Sequence, residues 1–131
     1  MPTDSAPAGS TPTGSTSGRL TVHALDTALG RPAAGLPLSL FRIGNVVRAQ
    51  LGAWHTNADG RCDAPLLAGP ALTPGAYEII FNVGAWREKA GFADAGFYDL
   101  IPIRFRVTDP AAHYHIPLLL SPYGYSTYRG S

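Results

Sequence analysis

The sequence predicts an all-β fold, an antiparallel β-sandwich of seven to eight short strands with one short helix. Two observations carry this expectation. Runs of alternating or β-branched apolar residues recur between turn signals at intervals of about eight to twelve residues, the spacing of a sandwich. The 131 residues also include 15 Gly and 12 Pro, which suits a chain of short strands and many turns. With 45% hydrophobic and 15% charged residues, the chain has the composition of one globular domain with a real core.

The first strand is expected at Arg19–Asp26 (RLTVHALD), with Leu20, Val22 and Ala24 on one face and Thr21, His23 and Leu25 on the other. Residues 1–18, rich in Ser, Thr, Pro and Gly, precede it. They bury too little apolar surface to oppose the entropy of ordering and read as a disordered tail. They also lack the basic start and apolar stretch of a secretory signal. A loop holding Gly30 and Pro32 leads to a second strand at Leu36–Ile43, whose early Pro37 is tolerable there. Gly44-Asn45 is a turn pair before a third strand at Val46–Thr56, and Asn57-Ala58-Asp59-Gly60 is a strong turn signal. A short strand is expected near Arg61–Ala64, then a Pro- and Gly-rich connection from Leu66 to Gly75. Strands follow at Ala76–Asn82 and Leu100–Val107, flanking the one helical candidate, Val83–Ala90, with Lys89 near its C-terminal end where a cation suits the dipole. His113 to Leu120, a turn at Ser121–Gly124 and Tyr125–Tyr128 close the chain as a hairpin.

Several function classes are excluded. A net charge of +1 offers no basic field for nucleic acid and no polybasic run for a membrane surface. No run of 18 apolar residues exists to span a bilayer. The single cysteine, Cys62, rules out an internal disulfide framework and fits a reducing, cytoplasmic setting.

Residues suited to chemistry gather near the C-terminus. His113 and His115 are two apart, so both fall on one face of a strand. The hairpin is expected to return Tyr128, Arg129 and the terminal carboxylate of Ser131 to the histidines. Two histidines on one face are acceptable zinc ligands, and a third would come from His23, His55 or a carboxylate. His23 on its own reads as a rim residue, Arg61 as a solvated charge, and Tyr128 as packing for Tyr123 and Tyr125. Cys62 beside Arg61 invites a Cys–His nucleophile pair. On a strand, however, neighbours face opposite ways, which would turn the thiol away from any site that Arg61 faces and leave it buried and inert. The residues alone leave these alternatives open.

Three stretches in order, LTVHALDTALGRPAAG, TNADGRCDAPLL and HYHIPLLLSPYGYSTYRGS, resemble the motifs of 5-hydroxyisourate hydrolases, the transthyretin-related enzymes of purine degradation. The resemblance spans residues 19–131, and its YRGS ending separates those enzymes from transthyretin, the hormone carrier. One departure is Ala24, where the family more usually has a bulkier aliphatic residue. The resemblance implies a transthyretin-like sandwich. It also implies hydrolysis of 5-hydroxyisourate to 2-oxo-4-hydroxy-4-carboxy-5-ureidoimidazoline, between urate and allantoin. His23, Arg61 and His115 become the expected catalytic residues, with His23, Arg61, Tyr128 and Ser131 contacting substrate; His113 keeps a structural or rim role. No cofactor or metal is implied. The expected partners are the small-molecule substrate and further copies of the chain, in a homotetramer with sites at the dimer–dimer interface. The last strand's free edge suits pairing with a second copy, and the Ser121–Gly124 turn is placed to press between dimers. The competing readings are a transthyretin-like small-ligand carrier without activity and a sandwich adhesion module.

Overall fold

The computed structural model describes residues 17–91 and 96–131. They form the two sheets of a sandwich: one of order β2-β1-β8-β9, with β5 also on β1, and one of order β4-β3-β6-β7. The strands are β1 Arg19–Asp26, β2 Arg31–Pro32, β3 Pro37–Ile43, β4 Arg48–His55, β5 Leu67–Ala68, β6 Gly75–Asn82, β7 Leu100–Val107, β8 His113–Ser121 and β9 Gly124–Thr127. Among the described residues one α-helix, α1 at Val83–Lys89, connects β6 to β7. The disordered reading of residues 1–16 lies outside the described residues. Ser17 and Gly18, assigned to that tail, are already held: Ser17 Oγ donates to the Ala111 carbonyl at 3.2 Å, and the Gly18 carbonyl accepts from the Gly69 amide at 2.9 Å.

The alternation read in β1 decides which way the first sheet faces. Leu20, Val22 and Ala24 are buried with Ile116, Leu118 and Leu120 of β8. They pack on Leu38, Leu40, Tyr77, Ile79, Phe81 and Ile101 of the other sheet. Each large apolar side chain so buried contributes about 1.5–3 kcal/mol before entropy is counted. The second sheet carries one buried carboxylate, Glu78 of β6, held by Arg48 of β4 at 2.7 Å, reaching across β3, and by Arg104 of the adjacent β7 at 3.2 Å. In α1, the Asn82 side chain caps the start by accepting from the Ala85 amide, and Arg87 and Lys89 sit in the last turn, favourable to the helix dipole.

Several expectations are corrected. β1 pairs with β8 in parallel over their whole length, with Thr21 opposite His115 and Arg19 opposite His113. These strands lie at opposite ends of the chain, so no tight turn forces them antiparallel. The segment expected as a strand at Arg61–Ala64 is a series of bends along the outer edge of β1. It is tied there by bonds from the Ala24 amide to the Gly60 carbonyl and from the Leu66 amide to the Leu20 carbonyl, both 2.8 Å. The strands that cap the two ends of that edge, β2 and β5, are two residues each and fall in stretches read as loops. The terminal hairpin forms, but its second strand ends at Thr127. The ladder is interrupted opposite Pro117, which has no N–H to give, and resumes as one bridge between His115 and Gly130.

Candidate active site

Because the even positions of β1 and β8 face the core, the odd positions face out. Arg19, Thr21 and His23 of β1 therefore lie beside His113 and His115 of β8 on the outer surface of the first sheet. A loop supplies the remaining wall. Asn57 builds it: its side-chain oxygen accepts from the Asp59 and Arg61 amides at 2.9 and 3.1 Å, and its side-chain amide donates to Asp63 at 2.9 Å. Gly60 lets the loop close on β1. Its φ is +77°, and a Cβ there would stand 2.3 Å from the Ala24 carbonyl oxygen. The loop thus delivers the exposed Arg61 over the sheet face.

The result is an open cleft of about 400 Å³ walled by Arg19, Thr21, Arg61, His113, His115 and Ser131. Of the residues expected from sequence, Arg61, His115 and Ser131 line it directly. His23 stands beside it, its ring centroid 6.5 Å from that of His115. The structure does not bring Tyr128 here. That residue is 61% exposed and lines a separate cleft of about 260 Å³ with Phe105, Tyr114 and Arg129. The physical reason is the end of β9 at Thr127, beyond which alternation no longer sets the side-chain direction.

Hydrogen bonds fix the ring nitrogens. His23 Nε2 lies 3.0 Å from the Asp59 carbonyl, which only accepts, so Nε2 carries the proton and Nδ1 is left with its lone pair. His115 Nδ1 lies 2.7 Å from Thr21 Oγ1, and His113 Nε2 lies 2.8 Å from the same oxygen. His115 is also pressed by Gly130, whose amide donates to the His115 carbonyl at 2.8 Å. A Cβ on Gly130 would come within 2.6 Å of the His115 ring, so only glycine fits there with the ring in place.

Burial, and next the positive charge of Arg61, hold both His23 and His115 below the ordinary imidazole value of 6.5; hydrogen bonding to Asp59 opposes this in part at His23. His113 is lowered by burial and by Arg19 and Arg129. The site therefore presents neutral imidazoles beside a permanent cation at neutral pH. Among the described residues, no group of three or more His, Cys, Asp or Glu is placed to hold a metal ion.

Sequence reasoning missed Thr21, although its place on the His23 face of β1 was legible. What was not legible was its partner strand. Cys62 is a correction: it lines the cleft beside Arg61, because bends rather than a strand carry the two. Burial, then Asp63, pushes its thiol pKa up, away from the thiolate that nucleophilic attack needs. Cys62→Ala is accordingly expected to keep kcat/KM within about threefold, under ~0.7 kcal/mol. A loss above a hundredfold in a folded variant, read by steady-state kinetics beside circular dichroism, would reinstate the thiol as nucleophile.

The family model described as HIUase/Transthyretin matches residues 20–130. The chain is 53% identical over 119 residues to 5-hydroxyisourate hydrolase 2 of Rhizobium meliloti, covering 89% of this chain and 99% of that one. The structure of Klebsiella pneumoniae 5-hydroxyisourate hydrolase is similar with a TM-score of 0.74 at 38% identity, over 87% of this chain and 99% of that one. Transthyretin from Sparus aurata gives a TM-score of 0.77 at 25% identity, over 86% of this chain and 96% of that one.

Proposed function

Because this chain belongs to the HIUase/transthyretin family, we propose that it hydrolyses 5-hydroxyisourate to 2-oxo-4-hydroxy-4-carboxy-5-ureidoimidazoline in the cleft on the outer face of its first sheet. The observation that carries the assignment of the site is the grouping there of His23 and His115, their rings 6.5 Å apart and both held neutral, with Arg61. The reaction opens a ring by breaking an N–C(=O) bond. Water attacks the carbonyl carbon, and a neutral imidazole takes its proton. The carbonyl oxygen becomes an oxyanion, which the guanidinium stabilises without ever losing its own charge. The carbon–nitrogen bond then breaks, the electron pair stays on nitrogen, and a second imidazole supplies the proton. We assign the base to His23, through its unengaged Nδ1, and the proton donor to His115, whose Nε2 has no hydrogen-bond partner among the described residues. Ser131 orients substrate at the far wall. Tyr128, absent from this chain's own cleft, has no assigned role in it.

A homotetramer with these clefts at the dimer–dimer interface completes the reading. Its support is the place of the cleft on an outer sheet face, together with the exposed Tyr125 and Tyr128 on the hairpin side, 39% and 61% accessible. A cytoplasmic setting fits the lone cysteine.

The carrier reading is disfavoured by the identities that support the enzyme: 53% to a hydrolase against 25% to a transthyretin. The deciding experiment adds purified protein to freshly generated 5-hydroxyisourate and follows its ultraviolet decay. Decay faster than the spontaneous rate, and lost in His115→Asn, is expected; decay at the spontaneous rate would overturn the reading.

The lowered imidazoles set the pH dependence. A depressed histidine pKa means that the unfolded chain takes up protons first, so these groups leave stability intact above 6.5 and reduce it as pH falls through that value. Turnover needs the neutral base, so the acid limb of kcat/KM is expected to have its midpoint below 6.5. A midpoint at or above 6.5 would contradict a base kept neutral by burial and Arg61.

A further inference from the structure

Thr21 Oγ1 sits between two imidazole nitrogens, 2.8 Å from His113 Nε2 and 2.7 Å from His115 Nδ1. A hydroxyl has one proton to donate, so it donates to one ring and accepts from the other. Only two arrangements satisfy all three groups. In one, His113 Nε2–H donates to Thr21, Thr21 donates to His115 Nδ1, and Nε2 of His115, a residue of the cleft wall, carries a proton. In the other, every proton is shifted the opposite way and His115 Nε2 is a bare acceptor. The tautomers of the two histidines are thereby locked in step.

We propose that Thr21 and His113 are positioning residues for the hydrolysis, forming with His115 a proton wire that sets the Nε2 proton of His115 and, as that proton leaves, replaces it with one at Nδ1. The proposal rests on the assignment of His115 to the reaction. Its steps balance once His23 is counted: His23 takes a proton from the attacking water and returns it to solvent, which supplies the one that enters the wire. His115 Nε2–H gives its proton to the leaving nitrogen, and Nδ1 takes the Thr21 proton. Thr21 takes the proton from His113 Nε2, and His113 Nδ1 takes one from solvent. The three groups of the wire end neutral, with both tautomers exchanged and His115 Nε2 bare; before the next turnover Nε2 takes a proton from solvent and the wire runs backwards, releasing one at His113 Nδ1.

The surroundings suit such a wire. His113 is only partly buried, and its Nδ1 has no hydrogen-bond partner among the described residues. The charged and titratable groups around the wire are Arg19 and His23 on β1, Arg61, Cys62 and Asp63 on the loop, Arg129 after β9, and Ser131 at the cleft wall. The three arginines disfavour an imidazolium at either end. Protons therefore move along the wire together rather than resting as charge on one ring. This gives His113 more than the rim role that sequence assigned it.

The test compares Thr21→Val, which keeps the β-branched shape, with Thr21→Ser, which keeps the hydroxyl. Thr21→Val is expected to lower kcat roughly tenfold to a hundredfold, a part of what a full acid–base group supplies, with KM within about threefold. Thr21→Ser restores kcat to within about threefold of the parent. Proton inventories in mixed light and heavy water should be curved for the parent and Thr21→Ser and linear for Thr21→Val. His113→Asn should lower kcat similarly and also give a linear inventory, which serves if Thr21→Val does not fold. Equal losses in Val and Ser, or an unchanged kcat in folded Thr21→Val, would overturn the wire. His115→Asn assayed alongside separates the two ideas. Its activity lost while Thr21→Val stays normal removes only the wire; its activity retained removes the site assignment beneath it.

Discussion

Replacing Arg61 with methionine is expected to lower kcat/KM by about a hundredfold to a thousandfold, ~2.7–4 kcal/mol of transition-state stabilisation, with the fold intact. The stability half of this expectation follows from exposure. The Arg61 side chain is on the surface and makes no ion pair among the described residues, while the turn that places it is held by Asn57 through the backbone. The activity half follows from its place in the cleft wall with His115, where it brings a planar donor fork to the substrate side. Two roles are folded into one residue: the fork meets the oxyanion, and the charge lowers both His23 and His115. Arg61→Lys separates them. Lysine keeps the charge, so the acid limb of the pH profile should stay near its parental position, whereas in the methionine variant it should rise. Lysine lacks the planar fork and should recover less than about tenfold of the lost rate. Equal rates in parent and methionine variant, measured on protein with unchanged circular dichroism, would remove Arg61 from the chemistry.

Much of this arrangement is local and so readable along the chain. β1 and β7 have the bounds their alternation indicates, and α1 starts and ends within a residue of its signals. Alternation also placed His113 and His115 together, because period two holds wherever a strand is regular. What stayed illegible is non-local or irregular. The parallel pairing of β1 with β8 joins residues about ninety positions apart, and no local pattern reports a strand's neighbour; Thr21 was therefore visible on its face but not as the link between two histidines. Cys62 was misplaced for a different reason. Strand alternation was applied to a segment that Asn57 and the left-handed Gly60 hold as bends. The proline that shapes the end of the molecule, Pro117, sits in the partner strand, so the departure of Tyr128 from the ladder could not be read from the YSTY run itself.

Deleting Tyr128–Ser131 is expected to leave a folded sandwich with kcat/KM reduced at least about a hundredfold, roughly 2.7 kcal/mol. The fold survives because β9 keeps its four paired residues, Leu118–Ser121 against Gly124–Thr127. The stability lost is one bridge and one stacked cation: the Gly130 amide on the His115 carbonyl, and Arg129 4.4 Å above the Tyr114 ring. These amount to about 1–2 kcal/mol together. The catalytic loss is larger because the same residues hold and close the site. Gly130 backs the His115 ring, Arg129 reaches the His113 carbonyl at 3.3 Å, and Ser131 supplies a wall of the cleft. A smaller change isolates the first of these. Gly130→Ala adds a single methyl group 2.6 Å from the His115 ring, a distance that van der Waals radii forbid, so either the terminal segment lifts or the ring turns from Thr21. This variant should lose at least about tenfold in kcat/KM, ~1.4 kcal/mol, with its circular dichroism and melting temperature close to those of the parent. If both variants fold and turn over substrate at near-parental rates, the last four residues merely end a strand, and the active site is not where the two histidines and Arg61 meet.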